Sequence, residues 1–375
     1  MSIFDQVLAF IDRPDADSFD GLALEVFRYQ ARNVAPYRAH LARVGVEPSR
    51  VRALTDIPVV STAAFKYAPM ESGGERPSIA SRVFLTSGTT IGKHQRGRHA
   101  VLRPEVYRAS ALGHLRRMLF PDGRRTAVLA LHPTADRLPE SSLSQMITWC
   151  IEEFGCPLQM CAATREGIDT EAAVTLLGEI VRTQMPVSIL ATTASCAALF
   201  AHLREASITM RLPEGSRLMD TGGLKGQSIP LSATDVVDQA NLLLGIDPMC
   251  VINEYGMTEM CSQLYDATGF NSDIDFAAGP RMKIAPPWLS ASAVDPVTLA
   301  PVDEGKPGLL AFFDLANVGS VSALLTEDFG IIRDGMVAIL GRSGGGDPRG
   351  CALAIEQFAA ARATEPAIPR ALKTP

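Results

Sequence analysis

The stretch that decides the fold is Val251-Ile252-Asn253-Glu254-Tyr255-Gly256-Met257-Thr258-Glu259. The apolar pair at its start predicts a buried strand, and a polar and aromatic run follows directly. In that run an aromatic ring can stack on a base, an amide can bind an exocyclic amine, a hydroxyl can bind phosphate and a carboxylate can hold Mg²⁺. Open α/β sheets bind their ligands at such strand ends. The stretch therefore predicts a nucleotide site on an α/β fold.

A second polar stretch, Thr86-Ser87-Gly88-Thr89-Thr90-Ile91-Gly92-Lys93, follows a predicted strand at residues 83–85. Its hydroxyls and its glycine backbone N–H groups suit a loop that wraps a phosphate. It does not match the G-x-x-x-x-G-K-[ST] pattern of P-loop proteins, which argues against a kinase or a motor NTPase. Taken alone, an ordinary polar loop explains it as well.

Alternating strand and helix patterns predict layered α/β architecture along most of the chain. Strands are predicted at 83–85, 127–131 and 251–252, and helices at 141–154, 171–183 and 194–206. Ser232 and Asp235 form a capping box that predicts a further helix, which Gly245 ends. From residue 281 onward, short β-like runs such as 308–313 and 336–340 predict a smaller β-rich subdomain. The glycine-rich run 341–348 predicts a flexible hinge before a short tail.

Composition limits the class of partner. The chain has 375 residues, 47% of them hydrophobic and 20% charged, and a formal net charge of −6. This size predicts two or three packed subdomains, and the acidic balance argues against nucleic acid and membrane surfaces as partners. The first residues lack the pattern of a secretory signal, so we expect the protein in the cytoplasm.

Seven cysteines, an odd number, argue against a disulfide framework and indicate mostly small core residues. Cys150, Cys156 and Cys161 lie close together in sequence, but their spacing matches no zinc pattern. Packing is therefore favoured over a metal site for these three.

The two polar stretches, in this order and about 170 residues apart, resemble those of the adenylate-forming superfamily of acyl-CoA synthetases, luciferases and adenylation domains. Asp220-Thr221-Gly222-Gly223 resembles the family's adenine-pocket turn, the segment around Asp328 resembles its ribose-binding segment, and Gly341-Arg342 resembles the start of its hinge. The resemblance implies ATP and Mg²⁺ as cofactors. The fold that it implies is α/β, an adenylate-forming domain of layered mixed sheets with helices plus the β-rich subdomain, at residues 1–340.

The resemblance also implies a role for each matching residue. Asn253 would bind the adenine amine, Tyr255 the adenine face, Thr258 the α-phosphate, Glu259 the magnesium ion and Asp328 the ribose. The remaining nucleotide-binding residues would be Thr86, Ser87, Gly88, Thr89, Thr90, Gly222, Gly223, Gly256 and Arg342. Tyr255 as a core aromatic and Asp328 as a turn former are the structural alternatives.

The end of the sequence narrows the choice of branch. Only 33 residues follow Arg342, so the family's large C-terminal lid domain and its lysine are expected to be missing. Arg98-His99 and Arg349-Gly350-Cys351 resemble the acyl-protein synthetases of the bacterial bioluminescence fatty-acid reductase complex. The resemblance implies that Cys351, in the tail at 341–375, accepts the acyl group and delivers it to a protein such as an acyl reductase subunit.

Two other functions stay open. In a ligase of the phenylacetate-CoA type, CoA would be the acceptor. In a degenerate adenylation domain, the chain would be a scaffold without activity. The activated acid, fatty or aryl, cannot be chosen from the residues, because an apolar pocket suits both.

Overall fold

Helices and strands alternate through the computed structural model of this chain, which describes residues 1–74, 81–86, 96–164, 167–222, 231–270 and 281–342. The described helices are α1 Ile3–Asp12, α2 Ala16–Asn33, α3 Ala35–Arg43, α4 Pro104–Met118, α5 Ser142–Phe154, α6 Thr170–Thr183, α7 Thr193–Glu205 and α8 Ala233–Leu244. The described strands are β1 Val60–Ser61, β2 Arg82–Leu85, β3 Arg98–Val101, β4 Thr126–Ala130, β5 Gly155–Cys161, β6 Val187–Thr192, β7 Arg217–Thr221, β8 Val251–Tyr255, β9 Leu264–Asp266, β10 Met282–Ile284, β11 Leu289–Val294, β12 Pro307–Asp314, β13 Ala323–Arg333 and β14 Met336–Arg342.

One half of the main sheet is parallel, in the order β5-β4-β6-β7-β8. Helices cover both of its faces: Leu129 belongs to the cluster with α6, α7 and α8, whereas its neighbour Val128 belongs to the cluster with α4 and α5. Strands buried on both faces are continuously apolar rather than alternating. This explains the continuous apolar run of β4. The predicted α/β layering is confirmed.

The other half of the main sheet is antiparallel, in the order β8-β9-β10-β14-β13-β12-β11. The strands predicted at 308–313 and 336–340 are confirmed as parts of β12 and β14. All these strands continue one twelve-stranded sheet. The predicted subdomain boundary near 281, the boundary at 340 and the missing lid domain stay predictions.

The predicted bounds of three helices differ from the observed bounds by at most one residue. The segments predicted at 141–154, 171–183 and 194–206 are α5, α6 and α7. Ser232 and Asp235 form the predicted capping box of α8, and Gly245 ends that helix in the left-handed conformation at φ 64°. Glycine adopts this conformation without a steric penalty.

The first helices are tied to the far end of the chain. Gln30, on α2 and buried, donates to the carbonyl of Asn317 and to the hydroxyl of Ser322, and accepts from the Ser322 N–H. Strand β1 pairs in parallel with β13, with Ser61 opposite Leu325. The antiparallel half of the sheet therefore holds both the first helices and the segment that follows β1.

Within the described residues, no helix is both long and apolar enough to cross a membrane.

Candidate functional site

The carboxyl ends of β7 and β8 bring the predicted nucleotide residues together. These strands are parallel neighbours, with Asp220 opposite Asn253 and Thr221 opposite Glu254. Gly222 continues β7 with φ at 90°, a conformation that disfavours other residues. The edge formed by these ends is the usual position of ligands on such a sheet.

A buried cluster of charges holds Asn253 from behind. Lys283, on β10, donates to the Asn253 Oδ1 at 2.6 Å and to the Asp266 Oδ1 at 2.8 Å. The Asn253 amide donates in turn to the Asp220 Oδ2 at 3.1 Å. An amide oxygen accepts two hydrogen bonds, and among the described residues only Lys283 donates to the Asn253 Oδ1. The adenine contact of Asn253 stays a prediction.

Asp220 is 1% exposed, and burial raises the pKa of its carboxyl. Its Oδ2 accepts hydrogen bonds from Thr193 and Asn253, whereas its Oδ1 contacts no hydrogen-bond donor among the described residues. An unpaired carboxylate oxygen in this position is costly without a further partner. The sequence pattern identified this turn by its glycines but gave no sign of the buried lysine behind it.

Glu254 is also buried. It lies on β8 between Asn253 and Tyr255, the two residues predicted to contact adenine. It accepts a hydrogen bond from the Thr221 hydroxyl, and burial raises the pKa of its carboxyl to about 7. A Cβ at Gly256 would displace the Glu254 carboxyl, because it would lie 2.4 Å from the Glu254 Oε1. The predicted residue Gly256 therefore leaves room for the Glu254 carboxyl in the position that accepts from Thr221.

The Thr258 and Glu259 backbone is fixed by two polar residues that the sequence analysis did not assign to the site. The His99 Nδ1 lies 2.6 Å from the Thr258 carbonyl, and its Nε2 lies 2.9 Å from the Asn317 Oδ1. Asn317 donates to the carbonyls of Glu259 and Val321, which fixes the orientation of its amide. Burial lowers the pKa of His99, whereas these two hydrogen bonds raise it. His99 and Asn317 hold the backbone that presents the predicted phosphate and metal ligands.

The Glu259 side chain is half-buried and accepts no hydrogen bond from another described residue. Burial raises the pKa of its carboxyl to about 7, and the charges of Lys66 and Arg342 partly offset that rise. A carboxylate in this position suits a hard divalent cation, which would supply the missing positive charge. No group of three His, Cys, Asp or Glu side chains in the described ranges could hold a metal ion.

Tyr255, predicted to contact adenine, and Asp328, predicted to bind ribose, contact one another. The Tyr255 hydroxyl donates to the Asp328 Oδ2 at 2.8 Å, and the Arg342 Nε donates to the Asp328 Oδ1 at 3.2 Å. Asp328 and Arg342 are opposite one another on β13 and β14, and Arg342 also pairs with Glu327. Charge-assisted hydrogen bonds of this kind orient a carboxylate. The structure thus brings Tyr255, Asp328 and Arg342 into one group.

Thr86, the first residue of the hydroxyl-rich stretch, is hydrogen-bonded to Gly97. Its N–H donates to the Gly97 carbonyl at 2.9 Å, and its hydroxyl accepts from the Gly97 N–H at 2.8 Å. The other predicted residues of this stretch and two more lie outside the described residues. They are Ser87, Gly88, Thr89, Thr90, Gly223 and Cys351.

Comparisons with known proteins agree on one family and one fold. A family model described as acyl-protein synthetase, LuxE, matches residues 8–359. Two proteins named long-chain-fatty-acid–luciferin-component ligase are similar to the chain. That of Aliivibrio fischeri is 23% identical over 334 residues, covering 87% of this chain and 84% of the relative. That of Vibrio harveyi is 25% identical over 345 residues, covering 88% and 85%.

Solved structures support the fold. An open conformation of 2-hydroxyisobutyryl-CoA ligase, in complex with 2-HIB-AMP and CoA, has a TM-score of 0.62 at 17% identity, covering 86% of this chain and 74% of that ligase. The same ligase in its postadenylation state has a TM-score of 0.63 at 17% identity, covering 88% and 69%. The expected α/β architecture of an adenylate-forming ligase is therefore confirmed.

Proposed function

Because this chain belongs to the LuxE family of acyl-protein synthetases, we propose that it activates a fatty acid with ATP and then carries the acyl group on Cys351. The observation that carries the proposal is that Asn253 and Tyr255 lie near the carboxyl end of β8, and that the Tyr255 hydroxyl donates to Asp328. Thr258 and Glu259 follow β8 directly in the chain. The ligases named for long-chain fatty acids favour a fatty over an aryl acid.

In the first step, a carboxylate oxygen of the acid forms a bond to the α-phosphorus of ATP. The bond from that phosphorus to the bridging oxygen breaks, and pyrophosphate leaves with the electron pair. The protein acts by positioning and charge neutralisation. Asn253 and Tyr255 would hold the adenine, Asp328 the ribose and Thr258 the α-phosphate.

The metal would be held by Glu259, whose half-buried carboxylate suits a hard cation. When bound, magnesium supplies positive charge to the phosphates. His99 and Asn317 would keep Glu259 in place through its backbone.

In the second step, the Cys351 thiolate bonds to the acyl carbon, and AMP leaves with the electrons of the broken carbon–oxygen bond. The thiolate is the reactive form of cysteine. Burial raises the pKa of Cys150, Cys196 and Cys261, which disfavours their thiolates. In the sequence, Arg349 lies two residues before Cys351, and a nearby cation favours the thiolate. The acceptor of the acyl group from Cys351 would be a partner protein, such as an acyl reductase subunit.

The test of the proposed function is intact-protein mass spectrometry after incubation with ATP, Mg²⁺ and a series of fatty acids. We expect one acyl mass on the wild type that hydroxylamine removes, as it does for a thioester, and none on Cys351→Ser. Cys161→Ser is the matched control. Cys161 ends β5 half-buried, with its thiol 3.5 Å from the His132 carbonyl, and this variant should be acylated like the wild type.

Pyrophosphate release is measured in the same samples. Acyl mass that persists on Cys351→Ser would contradict Cys351 as the acceptor. Pyrophosphate release and an acyl-CoA product without any acylated protein would instead identify CoA as the acceptor. Absence of pyrophosphate release with every acid would favour the scaffold.

A further inference from the structure

Lys66 occupies a position beside the proposed ATP site that no predicted role explains. It is the last residue of a short 3₁₀ helix, Thr62–Lys66, which follows β1 directly. Since β1 pairs with β13 at Leu325, this helix is anchored beside the strand that carries Asp328. The position of Lys66 is therefore set by the same strand as the proposed ribose ligand.

The side chain of Lys66 lies beside Gly97, the hydrogen-bond partner of Thr86. A Cβ built on Gly97 would lie 3.5 Å from the Lys66 Cγ and 2.9 Å from the Thr86 Cγ2. Lys66 and Thr86 therefore both border Gly97. The preceding Phe65 packs edge-on against the His99 ring, with centroids 5.6 Å apart. Because His99 contacts the Thr258 carbonyl, one packed unit joins the Lys66 helix to the proposed phosphate ligands.

Lys66 is half-buried and makes no hydrogen bond or ion pair with another described residue. The other cations that the structure describes around the site have acidic partners. These pairs are Arg96 with Glu140, Arg98 with Glu71, Lys283 with Asp266, and Arg342 with Glu327 and Asp328. A half-buried ammonium group without an acidic partner is suited to an anionic ligand.

We propose that Lys66 is a catalytic residue that binds the β- and γ-phosphates of ATP and neutralises the pyrophosphate as it leaves. This inference rests on the proposed function and adds a residue to its first step. When the bond between the α-phosphorus and the bridging oxygen breaks, negative charge grows on the departing pyrophosphate. A fixed ammonium group stabilises that charge more than it stabilises the ground state. Lys66 and Glu259 would thus act on the same phosphate chain, one by its own charge and the other through the metal.

The test removes the charge of Lys66 and keeps its packing. Lys66→Met retains the aliphatic stem that lies along Gly97 and Thr86, and Lys66→Arg retains a cation. We expect Lys66→Met to lower the kcat of pyrophosphate release by about 100-fold, the loss typical of one removed charge-stabilising donor, with the KM for the acid unchanged. Lys66→Arg should recover part of that loss. Lys306→Ala, at an exposed lysine before β12, is the matched control and should retain wild-type rates.

A second measurement separates the chemical role from a structural one. Supplied with preformed acyl-adenylate, Lys66→Met should acylate itself at the wild-type rate, because no pyrophosphate leaves in that step. Equal losses in both half-reactions, or pyrophosphate release within about threefold of wild type, would overturn the catalytic role.

Nucleotide binding distinguishes a failure of this inference from a failure of the proposed function. Lys66→Met should weaken binding of Mg·ATP by about tenfold and leave AMP binding unchanged, because AMP lacks the β- and γ-phosphates. If the wild type binds ATP but releases no pyrophosphate with any acid, the proposed function is wrong. Weaker ATP binding by Lys66→Met than by the wild type would still support a contact between Lys66 and the phosphates. Equal binding of ATP to both proteins overturns Lys66.

Discussion

Glu254→Gln should stabilise the protein at pH 8 and should not do so at pH 5. The folded pKa of Glu254 is about 7, because burial raises it from the ordinary value of 4.5, and its side chain stays buried beside Thr221. The folded state therefore holds a proton that the unfolded state releases between pH 4.5 and 7. Over that window the wild type loses stability as pH rises, and the variant, which has no carboxyl at this position, does not.

The magnitude follows from the size of the pKa rise. One pKa unit corresponds to about 1.4 kcal/mol, so the advantage of the variant should grow by about 3 kcal/mol between pH 5 and pH 8. For a chain of 375 residues, this corresponds to a rise in Tm of about 4 °C relative to wild type. Differential scanning calorimetry at the two pH values measures both changes. Glu25→Gln, at an exposed position on α2, controls for the loss of a charge alone. A Tm difference for Glu254→Gln that stays constant from pH 5 to pH 8 would refute a raised pKa at this carboxyl.

Two further predictions concern the nucleotide site. Glu259→Gln should abolish pyrophosphate release, because it removes the charged metal ligand and changes few atoms; near-normal release from a variant with wild-type circular dichroism would contradict the metal assignment. Asp328→Ala should raise the KM for ATP by about tenfold to 100-fold, since a charge-assisted hydrogen bond is worth about 1.5 to 3 kcal/mol. An unchanged KM in steady-state kinetics would exclude Asp328 as a ribose ligand.

Local signals in the sequence predicted the elements of the fold well. The capping box of Ser232 and Asp235 and the terminating Gly245 fixed the bounds of α8, because each signal acts within one or two helical turns. The stretch at 251–259 gave the strand and the order of the polar groups after it. Its position at the sheet edge followed from the general behaviour of parallel strands.

Contacts between distant parts of the chain were not predictable in the same way. Lys283 stands in a three-residue strand, and a lysine is normally exposed, so its burial against Asn253 appears only when β10 inserts between β9 and β14. His99 contacts Asn317 across 218 residues of sequence, and no periodicity links the two. The position of Lys66 beside Gly97 depends on the pairing of β1 with β13, which no local pattern indicates.

The exchange of hydrogen bonds between Gln30 and Ser322 has a consequence for how the protein is made. These residues are 292 positions apart, so at about 5 to 20 residues per second the ribosome needs roughly 15 to 60 s to supply the partner after Gln30 is synthesised. During that interval, α1 and α2 can pack on each other, on α3 and on α4, but the part of their surface that faces Asn317 and Ser322 has no partner. Pairings this distant also slow folding after release. Nascent chains should therefore depend on chaperones during synthesis, and fragments that stop before β13 should aggregate.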